Sequence, residues 1–312
     1  MNKFMKLAPI GIIVAALVLM IFLGRNFIDS LIPALSSTYY KDFKSEAELE
    51  YKYSQLGPYD VSDRTIETED EDLGNLRCWY PEGESGEKYP MIIVVNPSML
   101  PSANYKPFFE RLASWGFVVI GNDDGSAGTG ASTSATLDAM MGLVDTHPVR
   151  EFTDYDNIGI VGYSQGGSGA LAAVSEYENG SAYKTIFTGS AACHDVADEY
   201  GWKYDTSKVA VPYFMAAGTG DTDSGNEEED IVGAAPLYSL IDAYDSIDES
   251  VPKVRARFVG AEHNEMLKKC DGYMTAWMLY QLKGDTEAAG AFEGDNAEIL
   301  TNANWQDIEK NQ

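Results

Sequence analysis

Short apolar runs rich in β-branched and aromatic residues, alternating with segments of helical spacing, constrain this chain more than any other feature. Residues 91–95 read Met-Ile-Ile-Val-Val without a polar interruption. A strand covered on both faces must be apolar at every position, because successive side chains point to opposite sides. Residues 117–121, 158–161, 185–188, 209–217 and 254–259 repeat the pattern. Helical segments are expected between them at 105–114, at 135–144 with Leu137, Met140, Met141 and Val144 on one face, at 169–174 and at 274–282. Strands alternating with helices predict an α/β fold, a mostly parallel central sheet with helices on both faces. With 45% hydrophobic and 12% aromatic residues, the chain has material for one large core in its 312 residues.

The first 25 residues stand apart from this pattern. Lys3 and Lys6 precede an uncharged run, residues 7–24, which Arg25 closes. Eighteen apolar residues just suffice to span a membrane as a helix. The leading lysines favour an inside N-terminus and an extracytoplasmic main domain. No close A-x-A site follows; Ala34-Leu35-Ser36 is a distant and poor one, and no cysteine is placed for lipid attachment. Residues 1–25 are therefore expected to be a signal anchor, or a signal peptide if cleaved, leaving a secreted protein. Residues 26–55 are expected to form a tether on the surface, and residues 56–312 the α/β domain.

Charge narrows the partners. The net charge is −27, and the segment after Arg25, with 19 basic residues against 49 acidic ones, carries −30. Such a surface repels nucleic-acid phosphates and anionic lipid, so no nucleic acid is expected as a partner. Cys78, Cys193 and Cys270 form no C-x-x-C pair, which argues against a thiolate zinc site and leaves room for one disulfide outside the cell.

The sharpest local signal is Gly162-Tyr163-Ser164-Gln165-Gly166-Gly167, directly after the 158–161 run and before a helical stretch. G-x-S-x-G in a strand–turn–helix context puts a serine on a strained turn at a helix N-terminus, where the dipole favours developing negative charge. A serine hydroxyl needs a base to become a nucleophile, and the chain has three histidines. His263 follows the 254–259 run and leaves room for an acid between it and Ser164. His147 and His194 read as loop residues, the latter at a pocket rim. The acid belongs at the end of the 209–217 run; Asp221 is the expected residue, with Asp223 in reserve. The acidic stretch at 227–230 has no EF-hand spacing and reads as a solvated loop. Two backbone amides should bind an oxyanion, one from Gln165 and one from Ser98 or Met99, since Pro97 has none. Met99 is the expected donor. Residues 125–133 are glycine-rich but lack a phosphate-loop ending.

Other segments carry a family resemblance. Gly57-Pro58-Tyr59-Asp60-Val61, Arg77-Cys78-Trp79-Tyr80-Pro81 and the 91–95 run resemble the start of bacterial polyester hydrolases, relatives of cutinase-like, dienelactone-hydrolase-like and chlorophyllase-like esterases. Residues 112–120, Gly218-Thr219-Gly220-Asp221 and Leu282-Lys283-Gly284-Asp285 are similar to later parts of the same family, so the likeness runs over about 57–293. It implies an α/β-hydrolase with a Ser164–His263–Asp221 triad that cleaves carboxylic esters through an acyl-enzyme, with no metal or other cofactor. That family usually carries an aromatic residue at Met99 and a methionine at Gln165, so a small-molecule or lipid-like ester is expected as readily as a polymer. Two other functions stay open on the sequence: acyl transfer to an alcohol by the same triad, and non-catalytic surface binding on the same scaffold.

Overall fold

The computed structural model describes residues 35–70 and 73–312. In chain order these form α1 (Glu48–Ser54), β1 (Val61–Ile66), β2 (Leu76–Pro81), β3 (Tyr89–Val95), α2 (Lys106–Ala113), β4 (Val118–Gly121) and α3 (Ala131–Met141). The series continues with β5 (Thr153–Tyr163), α4 (Gln165–Ser175), β6 (Tyr183–Gly189), β7 (Tyr213–Gly218), α5 (Leu237–Ser246), β8 (Lys253–Phe258), α6 (Asp271–Lys283) and β9 (Trp305–Lys310). Shorter helical turns fill the connections.

Every residue of β3 is buried, and its side chains divide by alternation between two apolar cores. Ile92 and Val94 join Phe108, Phe109 and Leu112 of α2 and Trp277 and Met278 of α6 on one face. Met91, Ile93 and Val95 pack with Leu137 and Met140 of α3 and Ala170 and Leu171 of α4 on the other. The period of two residues in a strand imposes this division, and two covered faces need apolar residues at every position.

The described strands form one mixed sheet in the order β1-β2-β4-β3-β5-β6-β7-β8-β9. Pairing is parallel from β4 through β8 and antiparallel at β1/β2, β2/β4 and β8/β9. From β3 the chain moves outward to β4 and then returns past β3 to β5. That reversal opens a crevice at the carboxyl ends of β3 and β5, where ligands of open α/β sheets bind.

Three strands, β1, β2 and β9, escape the apolar-run pattern. Each is at or next to a sheet edge and carries polar residues on its open side, such as Asp63, Arg77 and Gln306. The run at 209–217 enters the sheet only from Tyr213, after Pro212.

The expected surface tether needs correction over its described part. Leu35, Tyr39, Phe43 and Tyr53 are buried in the α2/α6 core. Glu50 is wholly buried and accepts hydrogen bonds from Asn302 Nδ2 (2.8 Å), Asn304 Nδ2 (2.8 Å) and Trp305 Nε1 (2.5 Å). A buried carboxylate is tolerated when its oxygens are met by donors, and those donors lie some 250 residues away, beyond the reach of helical periodicity. The expected anchor at 7–24 lies outside the described residues. No helix among the described residues is long and apolar enough to cross a membrane. Cys78, Cys193 and Cys270 are buried free thiols.

A second buried network ties the same segment down. Arg111 Nε lies 3.1 Å from the Asp271 carboxylate and donates to the Tyr39 hydroxyl (3.0 Å); Nη1 donates to the Tyr53 carbonyl (2.9 Å) and Nη2 to the Thr275 hydroxyl (3.0 Å). Burial pushes the Asp271 carboxyl up to about 6, against the pull of Arg111 and Tyr39. Removing one partner of a buried ion pair strands the other charge. Arg111→Met is expected to cost about 3–5 kcal/mol in denaturant unfolding. The double variant Arg111→Met/Asp271→Leu, which leaves no buried charge, should lose less than Arg111→Met alone. A loss below about 1 kcal/mol for the single variant would show that the pair does not hold this segment in place.

Candidate active site

β5 ends at Tyr163 and α4 begins at Gln165, so the chain turns through a single residue, Ser164, at φ 55° and ψ −126°. Such left-handed backbone in a non-glycine residue costs about 1–3 kcal/mol and persists only where packing dictates it. The packing is visible in the flanking glycines. A β-carbon on Gly162 would stand 2.1 Å from the Gly166 carbonyl oxygen, and one on Gly166 would stand 2.2 Å from the Val95 carbonyl oxygen.

The Ser164 hydroxyl donates to His263 Nε2 at 2.7 Å. His263 opens a short helical turn after β8. Its other nitrogen, Nδ1, donates at 2.6 Å to the carboxylate of Asp223. A carboxylate without a proton can only accept, which places the imidazole hydrogen on Nδ1 and leaves Nε2 free to accept from the serine. Asp223 is fully buried, while the His263 side chain is 27% exposed and Ser164 is partly exposed.

The carboxylate that meets His263 is therefore that of Asp223, where Asp221 was expected. Residues 221–224 form one helical turn after β7, and positions two apart on a helix lie about 200° around the axis. Only one of the two aspartates can face the histidine. Asp221 is exposed and its carboxylate accepts from Asn226 Nδ2 at 3.1 Å. The second oxygen of Asp223 accepts from the Ser190 hydroxyl and the Gly218 amide, both at 2.5 Å. Ser190, at φ 48°, has no sequence signal beyond its place after β6.

The acid and histidine loops are also clamped to each other. The Glu262 carboxylate accepts from both the amide and the hydroxyl of Thr222, and these bonds hold its carboxyl below the usual range. The Thr222 hydroxyl in turn accepts from the His263 amide at 2.9 Å. This clamp crosses 40 residues and was not readable from spacing.

The amides expected to be free for an oxyanion need a second correction. Gln165 opens α4, and the first amides of a helix have no carbonyl partner within it. Met99, however, already donates its amide to the Gly125 carbonyl at 3.0 Å. The Leu100 amide donates to the Pro97 carbonyl at 3.2 Å, closing a turn with Met99 at φ 58° in its third position. The first central residue of such a turn keeps its amide free, and the Ser98 amide has no partner among the described residues. The Ser98 hydroxyl donates to Gln165 Oε1 at 2.6 Å, joining the turn after β3 to the start of α4. The Met99 side chain is 83% exposed.

The remaining histidines lie elsewhere. His147 caps a helical turn, accepting from the Val149 amide at 3.3 Å. His194 stacks on Tyr204 with ring centroids 4.4 Å apart. His194, expected at a pocket rim, lines with Cys193, Asp195, Tyr204, Tyr213 and Leu240 a cavity of about 140 Å³; neither Ser164 nor His263 lines it. Among the described residues no cluster of histidine, cysteine or carboxylate side chains is arranged to hold a metal ion.

Known proteins place this geometry in context. Lipase 1 of Moraxella sp. (strain TA144) is 30% identical over 149 residues, 46% of this chain and 47% of the lipase. The chain thus spans about half the length of this curated relative. A family model described as PET hydrolase-like matches residues 45–302, from just before α1 almost to β9, and on that match the chain belongs to the PET hydrolase-like family, a member of the α/β-hydrolase superfamily.

Proposed function

We propose that this chain is a serine hydrolase of carboxylic esters that works through an acyl-enzyme, with Ser164 as nucleophile, His263 as base and Asp223 as the acid that orients it. The carrying observation is the unbroken chain of hydrogen bonds, Ser164 Oγ to His263 Nε2 at 2.7 Å and His263 Nδ1 to Asp223 at 2.6 Å. Membership of a hydrolase family and likeness to a protein named a lipase support an ester as substrate.

In this reading His263 takes the Ser164 proton as Oγ attacks the ester carbonyl carbon. The negative charge that moves onto the carbonyl oxygen meets the amides of Gln165 and Ser98 and the N-terminus of α4. His263 then passes its proton to the departing alcohol oxygen, leaving Ser164 acylated. Water, deprotonated by His263, attacks the acyl carbon and restores the serine. Asp223 remains ionised throughout and stabilises the imidazolium that forms transiently. Its complete burial and three hydrogen bonds fit that task better than the exposed Asp221. With Met99 and Gln165 where polyester hydrolases usually carry an aromatic residue and a methionine, the mouth of the site has less flat stacking surface, which favours small-molecule or lipid-like esters. The uncharged run at 7–24, behind Lys3 and Lys6, supports action outside a cytoplasmic membrane.

Hydrolysis of chromogenic acyl esters of graded chain length by the full chain tests the assignment. Ser164→Ala should remove turnover to background while circular dichroism stays unchanged. Asp223→Asn should lower kcat by about 10⁴, the cost of fixing the wrong imidazole tautomer. Asp221→Asn should stay within about twofold of wild type, as for an ordinary surface change. Equal losses in the two aspartate variants would refute the choice of Asp223.

The oxyanion assignment has its own test. Proline suits the first central position of a turn, so Ser98→Pro can keep the backbone while removing the amide hydrogen. It should lower kcat by about 10²–10³. Ser98→Ala, which loses only the hydroxyl bond to Gln165, should fall much less. Similar values for the two variants would return the second donor to another amide.

A further inference from the structure

The strongly acidic chain keeps a group of unpaired cations in one place. Lys44, Lys268 and Lys269 line a groove of about 280 Å³ together with Tyr40 and Phe43. The Lys41 ammonium lies 6.0 Å from the centre of the Tyr40 ring, and that of Lys269 5.1 Å from the centre of the Phe258 ring. None of the four lysines has an acidic partner or a side-chain hydrogen bond among the described residues. Elsewhere several cations are paired, Lys52 with Glu287, Lys106 with Asp63, Lys208 with Glu176, Arg77 with Asp123 and Arg255 with Glu309. Lys88, Lys184 and Lys203 are unpaired among the described residues but lie apart along the chain. Three carboxylates border the same groove. Asp271 is ion-paired with Arg111, Glu265 accepts from the Glu262 amide, and Asp42 is exposed. Asp42 and Glu265 keep their charge, so the three lysines Lys44, Lys268 and Lys269 against these two carboxylates leave the groove at +1, in a chain of net charge −27.

Its position gives this charge a partner. The groove is built from the first described segment of the chain and from the residues that follow His263. Only residues 25–34 separate the described chain from the uncharged run at 7–24. Ten residues span at most about 35 Å fully extended. The domain would thus stay close to any bilayer that the run enters. At physiological ionic strength charges act over about 8 Å, so a surface contact responds to the local patch and not to the net charge.

We propose that Lys41, Lys44, Lys268 and Lys269 form a docking surface for the anionic phosphate headgroups of lipids, which holds the segment carrying His263 against the membrane. Lysines near an anionic leaflet contribute individually, and their long stems let the ammonium groups reach headgroups beside the half-buried ring of Tyr40. The net charge alone predicts repulsion from anionic lipid; the clustering of unpaired lysines reverses that locally, and the acidic remainder turns this face toward the surface. The reading of residues 7–24 as an anchor enters only in bringing the bilayer near.

The test uses the full chain reconstituted into vesicles of phosphatidylcholine alone or with phosphatidylglycerol added. Acetylation of each lysine by a water-soluble reagent is followed by mass spectrometry. Lys88, Lys184 and Lys203, exposed and unpaired elsewhere, serve as references. In the anionic vesicles the four lysines should react about fivefold more slowly, the factor matching about 1 kcal/mol per lysine at such a surface. High salt should restore their rates, while the references stay constant. Equal rates in both lipids would overturn the proposal, as would the same protection from inorganic phosphate without anionic lipid. An alkaline wash shows separately whether the chain is embedded. Should it wash off, co-sedimentation with anionic vesicles decides: wild type should bind and Lys268→Gln/Lys269→Gln should bind less, with ester hydrolysis in solution unchanged. Equal co-sedimentation of the two would also overturn it.

Discussion

The close approach of the first turn of α4 to the end of β3 governs the site. Gly166 lies where a β-carbon would stand 2.2 Å from the Val95 carbonyl oxygen, and Gly162 lies as near to Gly166. Only glycine allows a helix to start so close to a neighbouring strand. The approach forces Ser164 into left-handed backbone, lifts its hydroxyl toward the crevice, and aims the free amides of α4 at the same point. It also brings Gln165 within hydrogen-bond reach of Ser98. The exposed turn at Ser164, the free amide of Gln165 and the support of the Ser98 turn thus follow from one packing constraint, which the burial of β3 and of the second half of β5 keeps rigid.

Around that point the loops after β6, β7 and β8 are tied together by polar contacts. Asp223 is held by Ser190 and by the Gly218 amide, and Thr222 links Glu262 to His263. These bonds hold the acid dry and fixed while the imidazole remains partly open. Such a gradient suits a base that must exchange protons with substrate at one nitrogen and keep a fixed partner at the other.

The N-terminal segment has a larger role than its composition announces. Tyr39, Glu50 and Tyr53 are built into the core beside α6 through the Arg111 and Glu50 networks. The part of the described chain closest to the uncharged run is thereby fixed to the segment that follows His263, so that charge displayed by one is displayed beside the other.

Much of this was legible in the residues. An unbroken apolar run such as 91–95 specifies a strand buried on both faces, and a glycine-flanked serine between strand and helix specifies the elbow, because both patterns are local. With three histidines, chain order pointed to His263, which lies 2.7 Å from Ser164. The choice between Asp221 and Asp223 turned on which side of one helical turn faces inward, and the choice between Ser98 and Met99 on which amide was already taken by Gly125. The burial of Glu50 turned on donors some 250 residues away. The sequence by itself determined the scaffold and the strand–serine–helix turn, since short-range periodicity and the steric need for glycine encode them. Only the tertiary structure decided which aspartate meets His263, which amide stays free and how the N-terminal segment packs, since each depends on partners that share no spacing with it along the chain.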